Sequence, residues 1–210
     1  MDTQTLVQVN NLAVYRGMHR LFAQLSFSAS SGEIIHIRGL NGAGKTTLLR
    51  CLAGLTLPDD GEIAWFGEPA STRPSGDARA AMTLVGHKDG LKSGLTPLEN
   101  LRHGDGLRAD EPKLTCSEAL ARAGLAERLH VPVGQLSAGQ RRRAALARLL
   151  SRQTLIWLLD EPFTSLDVDG IAEVTSWMRQ HAEDGGLVLL TSHQPLAIGM
   201  PVRELWVGAQ

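Results

Sequence analysis

This chain of 210 residues has little cysteine, almost no net charge and no long apolar run. Cysteine occurs twice, at Cys51 and Cys116, and neither C-x-x-C nor zinc-ligand spacing relates the pair. Cys51 falls in an apolar helical stretch. The economical expectation is two reduced thiols in a cytoplasmic protein without a structural metal. A formal net charge of −1 argues against a general surface for nucleic acid or another polyanion. No window approaches the roughly eighteen apolar residues that a bilayer-spanning helix requires. The N-terminus, polar and acidic through Asp2 and Thr3, has no basic segment leading into an apolar run. Action at a membrane would therefore need a partner to hold the protein there. No repeat or low-complexity tract occurs, and no C-terminal regulatory domain is expected after the last strand. The length suits one domain, or one core with a smaller lobe.

Glycine is more plentiful, at 22 residues, and its most informative cluster is Gly39-Leu40-Asn41-Gly42-Ala43-Gly44-Lys45-Thr46-Thr47. This stretch fits G-x-x-x-x-G-K-[ST], the phosphate-binding loop. Before it, Glu33 to Arg38 reads as a buried strand, and behind it Thr46 to Ala53 reads as a helix. Glycines let the backbone curl around an anion and aim several N–H groups inward. The helix adds free amides and the positive end of its dipole. Lys45 is placed to reach the terminal phosphates of ATP, and the Thr46 hydroxyl to complete the shell of a Mg²⁺ ion. The loop alone leaves kinase, switch, transporter and DNA-repair ATPase open.

Leu6 to Tyr15 and Leu21 to Ala29 read as an antiparallel hairpin beside this core. Tyr15 there can offer a flat surface to adenine, and Arg16 can stack in its place. Gly61 to Phe66 and Ala81 to Val85 are further strands, joined through the loop Pro69 to Gly76. From Gly86 to about Leu136 the chain reads as loops and modest helices, including Pro97 to Leu101 and Leu114 to Ala123. Ser137 caps a helix expected to run to about Leu150. Leu155 to Leu159 is apolar throughout, as a parallel strand covered on both faces should be. A helix from Val168 to Glu183 follows Asp167, then strands at Leu187 to Leu190 and Val202 to Val207. The expected fold is α/β. Residues 1–85 and 151–210 form a nucleotide-binding core with a mixed central sheet and N-terminal antiparallel strands. An inserted helical lobe occupies about 86–150.

The apolar strand ends in Asp160-Glu161-Pro162, at the edge where open α/β sheets bind ligands. Asp160 can take the Mg²⁺, and Glu161 can polarise the attacking water as general base. His193 follows another buried strand at that edge, where its imidazole can donate to a phosphoryl oxygen. Ser137, Gly139 and Gln140 begin a helix and form a second anion-binding arrangement. One site needs one phosphate loop, so the second points to a dimer in which each subunit completes the other's site. Arg141-Arg142-Arg143 is too short a basic run for nucleic acid and reads as a solvated helix face with one or two interface contacts.

With these motifs in this order, the chain resembles the ATP-binding cassette of ABC transporters along essentially its whole length. The resemblance implies that Ser137 to Gln140 is the signature sequence, which binds the γ-phosphate of ATP held by a partner cassette. Ser165-Leu166-Asp167 then matches the loop that crosses the dimer interface, and His193 the switch histidine. Lys88, or His87 if the loop shifts by one, is the nearest match to the position where most cassettes carry a glutamine. Residues 86–92, Leu95-Thr96 and 98–101 resemble the cassettes of cytochrome c biogenesis. So do 160–164, 167–170 and 192–196. That branch implies a homodimer on the cytoplasmic face of the bacterial inner membrane, docked on integral membrane subunits of the maturation system. Its ATP hydrolysis would serve haem export or haem release to a periplasmic chaperone, without haem binding by the cassette itself. A cassette for another substrate, or a soluble family member acting on DNA or ribosomes, stands as the alternative.

Overall fold

The computed structural model describes residues 4–68, 71–105 and 114–208. Pro69 and Ala70 of the expected Pro69 to Gly76 loop lie outside that range. Five strands form a parallel sheet: β3 (Ile34–Arg38), β5 (Met82–Val85), β6 (Ile156–Asp160), β7 (Leu187–Thr191) and β8 (Arg203–Trp206). Their order is β5-β6-β7-β3-β8. Every residue of β6 and β7 is buried, which is why both read as unbroken apolar runs rather than alternating ones.

Alternate side chains of these strands serve two cores. Ile34, Trp157, Leu159, Val188 and Leu190 face helices α3 (Pro97–Asp105), α4 (Cys116–Arg122), α5 (Ala138–Leu146), α6 (Arg148–Ser151) and α7 (Val168–Glu183). Ile35, Ile37, Ile156, Leu158, Leu187 and Leu189 face helix α1 (Lys45–Leu52) and a second sheet. That sheet is antiparallel, with β1 (Thr5–Arg16) between β2 (His19–Ser30) and β4 (Asp60–Trp65). A short helix α2 (Gly76–Ala80), capped by Ser75, lies between β4 and β5 and was not expected.

The strands thus divide into two hydrogen-bonded sheets, where a mixed central sheet was expected. The physical reason is α1. Leu48, Leu49, Cys51 and Leu52 are buried in the core shared by both sheets. The Trp65 Nε1–H donates to the Leu52 carbonyl at 3.1 Å, fastening β4 to the helix. Burial pushes the Cys51 thiol up to about 11.

The expected helix from Ser137 to about Leu150 is two helices. The Ala147 amide still bonds four residues back to Arg143, but Leu150 N–H returns only three residues, to the Ala147 carbonyl. This tighter turn separates α5 from α6. The last strand is Arg203–Trp206, extended by a bond from Val207 N–H to the Arg38 carbonyl. Threonines 96 and 115 each cap a helix through reciprocal bonds with Glu99 and Glu118. The buried residues Leu101, Leu120, Ala144 and Leu149 join the same core as Trp157 and Trp177.

Leu49 has no exposed surface, whereas Leu55, just beyond α1, is largely exposed. Leu49→Ala is expected to lower unfolding stability by about 2–5 kcal/mol, through lost burial and a residual cavity. Leu55→Ala should change it by less than about 0.5 kcal/mol. Urea denaturation of the two variants checks this contrast.

Candidate active site

Strand β3 delivers the chain into the glycine loop, and the backbone approach there is close. Gly39 has φ +149°, and a Cβ on it would stand 2.3 Å from the Val207 carbonyl oxygen. Only glycine fits between the loop and the end of β8. At the far end, Gly44 is the N-cap of α1, without a side-chain cap and without an acidic residue in the first turn. By contrast α4, α5 and α7 are capped by Thr115, Ser137 and Asp167. The first-turn amides of α1 therefore remain available to an anion. Lys45 Nζ lies over the loop, donating to the carbonyls of Gly39 (2.8 Å) and Leu40 (3.2 Å).

A cleft of about 390 Å³ flanks this loop, lined by residues 39–43, Arg20 and Leu21 of β2, and Trp206 to Gly208. Trp206 is 62% exposed, with the Arg38 guanidinium 5.6 Å from its ring centroid. Tyr15 and Arg16 sit exposed at the end of the hairpin rather than in the lining of this cleft. The Tyr15 amide donates to Asp59 Oδ2 at 2.7 Å. Arg20 and Trp206 carry no motif, and sequence reasoning missed both.

The parallel register sets Asp160 beside Thr191 and Thr191 beside Ile37. Asp160 is buried. Its carboxylate accepts from Thr46 Oγ1 at 2.9 and 3.1 Å and from Thr191 Oγ1 at 2.8 Å. The same Thr191 oxygen accepts the Glu161 amide at 2.9 Å. Thr191 thus joins the two acidic residues, a role no motif announces. Glu161 has φ +50°, a left-handed conformation unfavourable for a residue with a Cβ. Its carboxylate accepts the His193 amide at 3.3 Å and lies 3.4 Å from His193 Nε2. His193 itself follows Ser192, whose carbonyl accepts from the buried His36 Nε2 at 3.0 Å. Burial lowers the His36 pKa, which favours the neutral ring for this contact.

The Thr46 hydroxyl and Asp160 carboxylate fit a Mg²⁺ ion. Both are hard oxygen donors, and octahedral coordination at about 2.0–2.1 Å places adjacent ligands about 3 Å apart. Their separation of 2.9–3.1 Å matches that spacing. Among the described residues no group of three or more His, Cys, Asp or Glu side chains could form a protein-only metal cage.

Ser137 and Gln140 cap α5 reciprocally, Gln140 N–H to Ser137 Oγ and Ser137 N–H to Gln140 Oε1. A Cβ on Gly139 would meet the Ser165 carbonyl oxygen at 2.8 Å, so this helix start packs directly on the segment before α7. Asp167 caps α7 through Gly170 N–H and pairs with Arg143 at 2.9 Å. The Gly170 amide, then Arg143, holds its pKa below the ordinary carboxylate value. The arginine triplet is not a solvated face. Arg141 bonds the Leu136 carbonyl, Arg143 bridges Asp167 and Glu173, and Arg142 is 2% exposed beneath the Asp160-Glu161-Pro162 turn. Consecutive helical residues point about 100° apart, so three of them cannot share one face. Lys88 and His87 are exposed.

The model of the ABC transporter family matches residues 22–164. The cytochrome c biogenesis ATP-binding export protein CcmA of Escherichia coli O157:H7 is 49% identical over 196 residues. The match covers 92% of this chain and 91% of that protein. The protein of the same name from Escherichia coli strain K12 is 48% identical over the same shares. In fold, the chain is similar to the dimeric ATP-binding cassette MJ0796 in a post-hydrolysis state bound to ADP and Pi. The TM-score is 0.81 at 24% identity, covering 96% of both chains. It is also similar to the ADP conformation of the cassette MJ1267, with TM-score 0.73 at 20% identity over 91% of this chain and 82% of that one. With most of its length matched in both ways, the chain belongs to the ABC transporter family, as an ATP-hydrolysing cassette of the cytochrome c biogenesis export type.

Proposed function

We propose that two copies of this chain sandwich ATP and drive haem export or haem release during c-type cytochrome maturation. They would act docked on integral membrane subunits at the cytoplasmic face of the bacterial inner membrane. The haem assignment is supported by the 48–49% identity to the cytochrome c biogenesis export proteins. Support for the chemistry comes from the convergence of Thr46, Asp160, Glu161, Thr191 and His193 at one sheet edge. In this reading residues 1–85 and 151–210 are the nucleotide core, and about 86–150 the lobe that meets the membrane partner. Among the described residues no helix is long and apolar enough to cross a membrane, so contact with the bilayer system falls to that partner.

The amides of Gly39, Leu40, Asn41, Gly42, Ala43, Gly44, Lys45, Thr46 and Thr47 cradle the phosphates, and Lys45 turns from its loop carbonyls towards them. Tyr15, or Arg16 in its place, would meet the adenine from the exposed end of the hairpin, outside the lining of the cleft at the loop. Thr46 and Asp160 would hold Mg²⁺, which would supply neutralisation of charge on the phosphate oxygens. Glu161 takes a proton from water as the water oxygen bonds to the γ-phosphorus. The bond from that phosphorus to the bridging oxygen breaks, and ADP carries the electron pair away. His193 donates to a γ-phosphoryl oxygen. Ser137, Gly139 and Gln140 of the second copy close over the same phosphate, and Asp167 stands in the segment crossing between copies.

Glu161→Gln should retain ATP and slow hydrolysis by roughly 10²–10⁴-fold, the usual weight of a general base. The dimer should then persist in sedimentation with ATP and Mg²⁺. A strictly monomeric species at saturating nucleotide would remove the shared site. Lys45→Ala should instead weaken nucleotide binding and lose hydrolysis.

Detergent extraction is expected to copurify membrane subunits of cytochrome c maturation. Recovery of membrane subunits from an unrelated transporter would replace the haem assignment while leaving the ATPase reading intact.

Lys88 has no acceptor for Mg²⁺ and its ammonium is repelled by the ion. Lys88→Ala should change the Mg²⁺ concentration for half-maximal hydrolysis by less than about threefold. A large loss of Mg²⁺ affinity in a folded variant would place Lys88 at the metal after all.

A further inference from the structure

Arg142 is the most completely bonded side chain near the site, and nothing in the chemistry above employs it. A guanidinium carries five N–H donors in a fixed fork, and here each has an acceptor. Nε donates to the Pro162 carbonyl at 3.1 Å. Nη1 donates to the Gly86 carbonyl at 2.8 Å and to Asp89 Oδ1 at 3.1 Å. Nη2 donates to the carbonyls of Asp160 at 3.0 Å and Glu161 at 2.8 Å. We propose that Arg142 is a positioning residue for hydrolysis, which fixes the backbone turn that aims Glu161 and links that turn to the loop at 86–89. The proposal rests on the reading of Glu161 as general base.

Three successive carbonyls, of Asp160, Glu161 and Pro162, converge on this one cation. Their oxygens carry like partial charge and would push apart without it. Glu161 sits between them in its left-handed conformation, which an L-residue does not hold without outside support. That support comes from both ends: Thr191 takes its N–H and Arg142 its carbonyl. With both ends of the residue fixed, its side chain is directed to the His193 side of the edge.

The remaining two donors of Arg142 go to Gly86 and Asp89, on the loop after β5 that carries the exposed His87 and Lys88. Displacement of this loop withdraws two of the five acceptors from a buried cation. The guanidinium is rigid, so it must shift with them, and the Glu161 turn shifts too. The clamp needs the fork. Lysine offers three donors from one point and glutamine two, so neither can satisfy all five acceptors.

The test compares Arg142→Lys, Arg142→Gln and Asp89→Asn with wild type and Glu161→Gln. The full-length cassette is assayed in the detergent-extracted complex it forms. Thermal melting reports folding, a fluorescent ATP analogue reports binding, and steady-state kinetics give kcat and KM. Both Arg142 variants should lose roughly 10- to 100-fold in kcat, the scale on which a misaimed catalytic group loses rate. Their KM and analogue affinity should stay within about threefold of wild type. Asp89→Asn should lose less, in the same direction. Should Arg142→Gln fail to fold, Arg142→Lys and Asp89→Asn still decide. A lower melting temperature with wild-type kcat per folded molecule would make Arg142 a structural cation only and overturn the proposal. So would a raised KM with unchanged kcat. If Arg142 variants keep full rate while Glu161→Gln is dead, this inference fails alone. If Glu161→Gln keeps the wild-type rate, the general-base reading fails and takes this inference with it.

Discussion

A buried carboxylate must find donors, and much of this molecule is arranged around meeting that demand for Asp160. Two threonine hydroxyls answer it, one from the helix after the phosphate loop and one from the neighbouring strand. Each comes from an element that carries another part of the site. Thr46 follows Lys45, while Thr191 precedes Ser192 and His193 and also receives the Glu161 amide. The hydrogen bonds that make Asp160 tolerable in the core thus fix the relative places of the groups around it. The parallel sheet makes this possible, because every strand ends on the same edge.

The sheet in turn depends on being covered twice. On one side helix α1 lies between the parallel and antiparallel sheets, and its buried leucines serve both. On the other side the helices from 97 to 183 share a single core with the alternate residues of β6 and β7. The segment that interrupts the nucleotide core in sequence is therefore not separate from it in packing. Leu120 and Leu149 are part of the same apolar volume as Trp157. A shift of one must be felt by the other, because close-packed interiors transmit strain.

The glycine-rich turn into α1, the strand ending at Asp160 and the caps at Ser137 and Asp167 could be read from sequence. Each combines a local pattern with a local physical cause. What escaped was set by tertiary placement. The pattern of β4 does not say which sheet it joins, because the partner is chosen by α1 wedging between the two. Arg142 sits between two other arginines and before Ala144 and Ala145, which are both buried, so local polarity gives no inward direction. Its partners lie 18 to 56 positions away in sequence. Thr191 is one more threonine at a strand end until β6 is laid beside it. The tightening at Ala147 likewise depends on packing that no local period records.

The bare N-terminus of α1 has a thermodynamic consequence. The other long helices of the site carry their own caps, each worth about 0.5–2 kcal/mol. Helix α1 has no such cap, and a phosphate bound there would supply it. The nucleotide is then a missing piece of secondary structure as well as a fuel. Because it binds the folded chain and not the unfolded one, it stabilises the fold by about 4 kcal/mol when present at a thousand times its dissociation constant. Any nucleotide whose phosphates fill that position would add to the stability of the fold in this way.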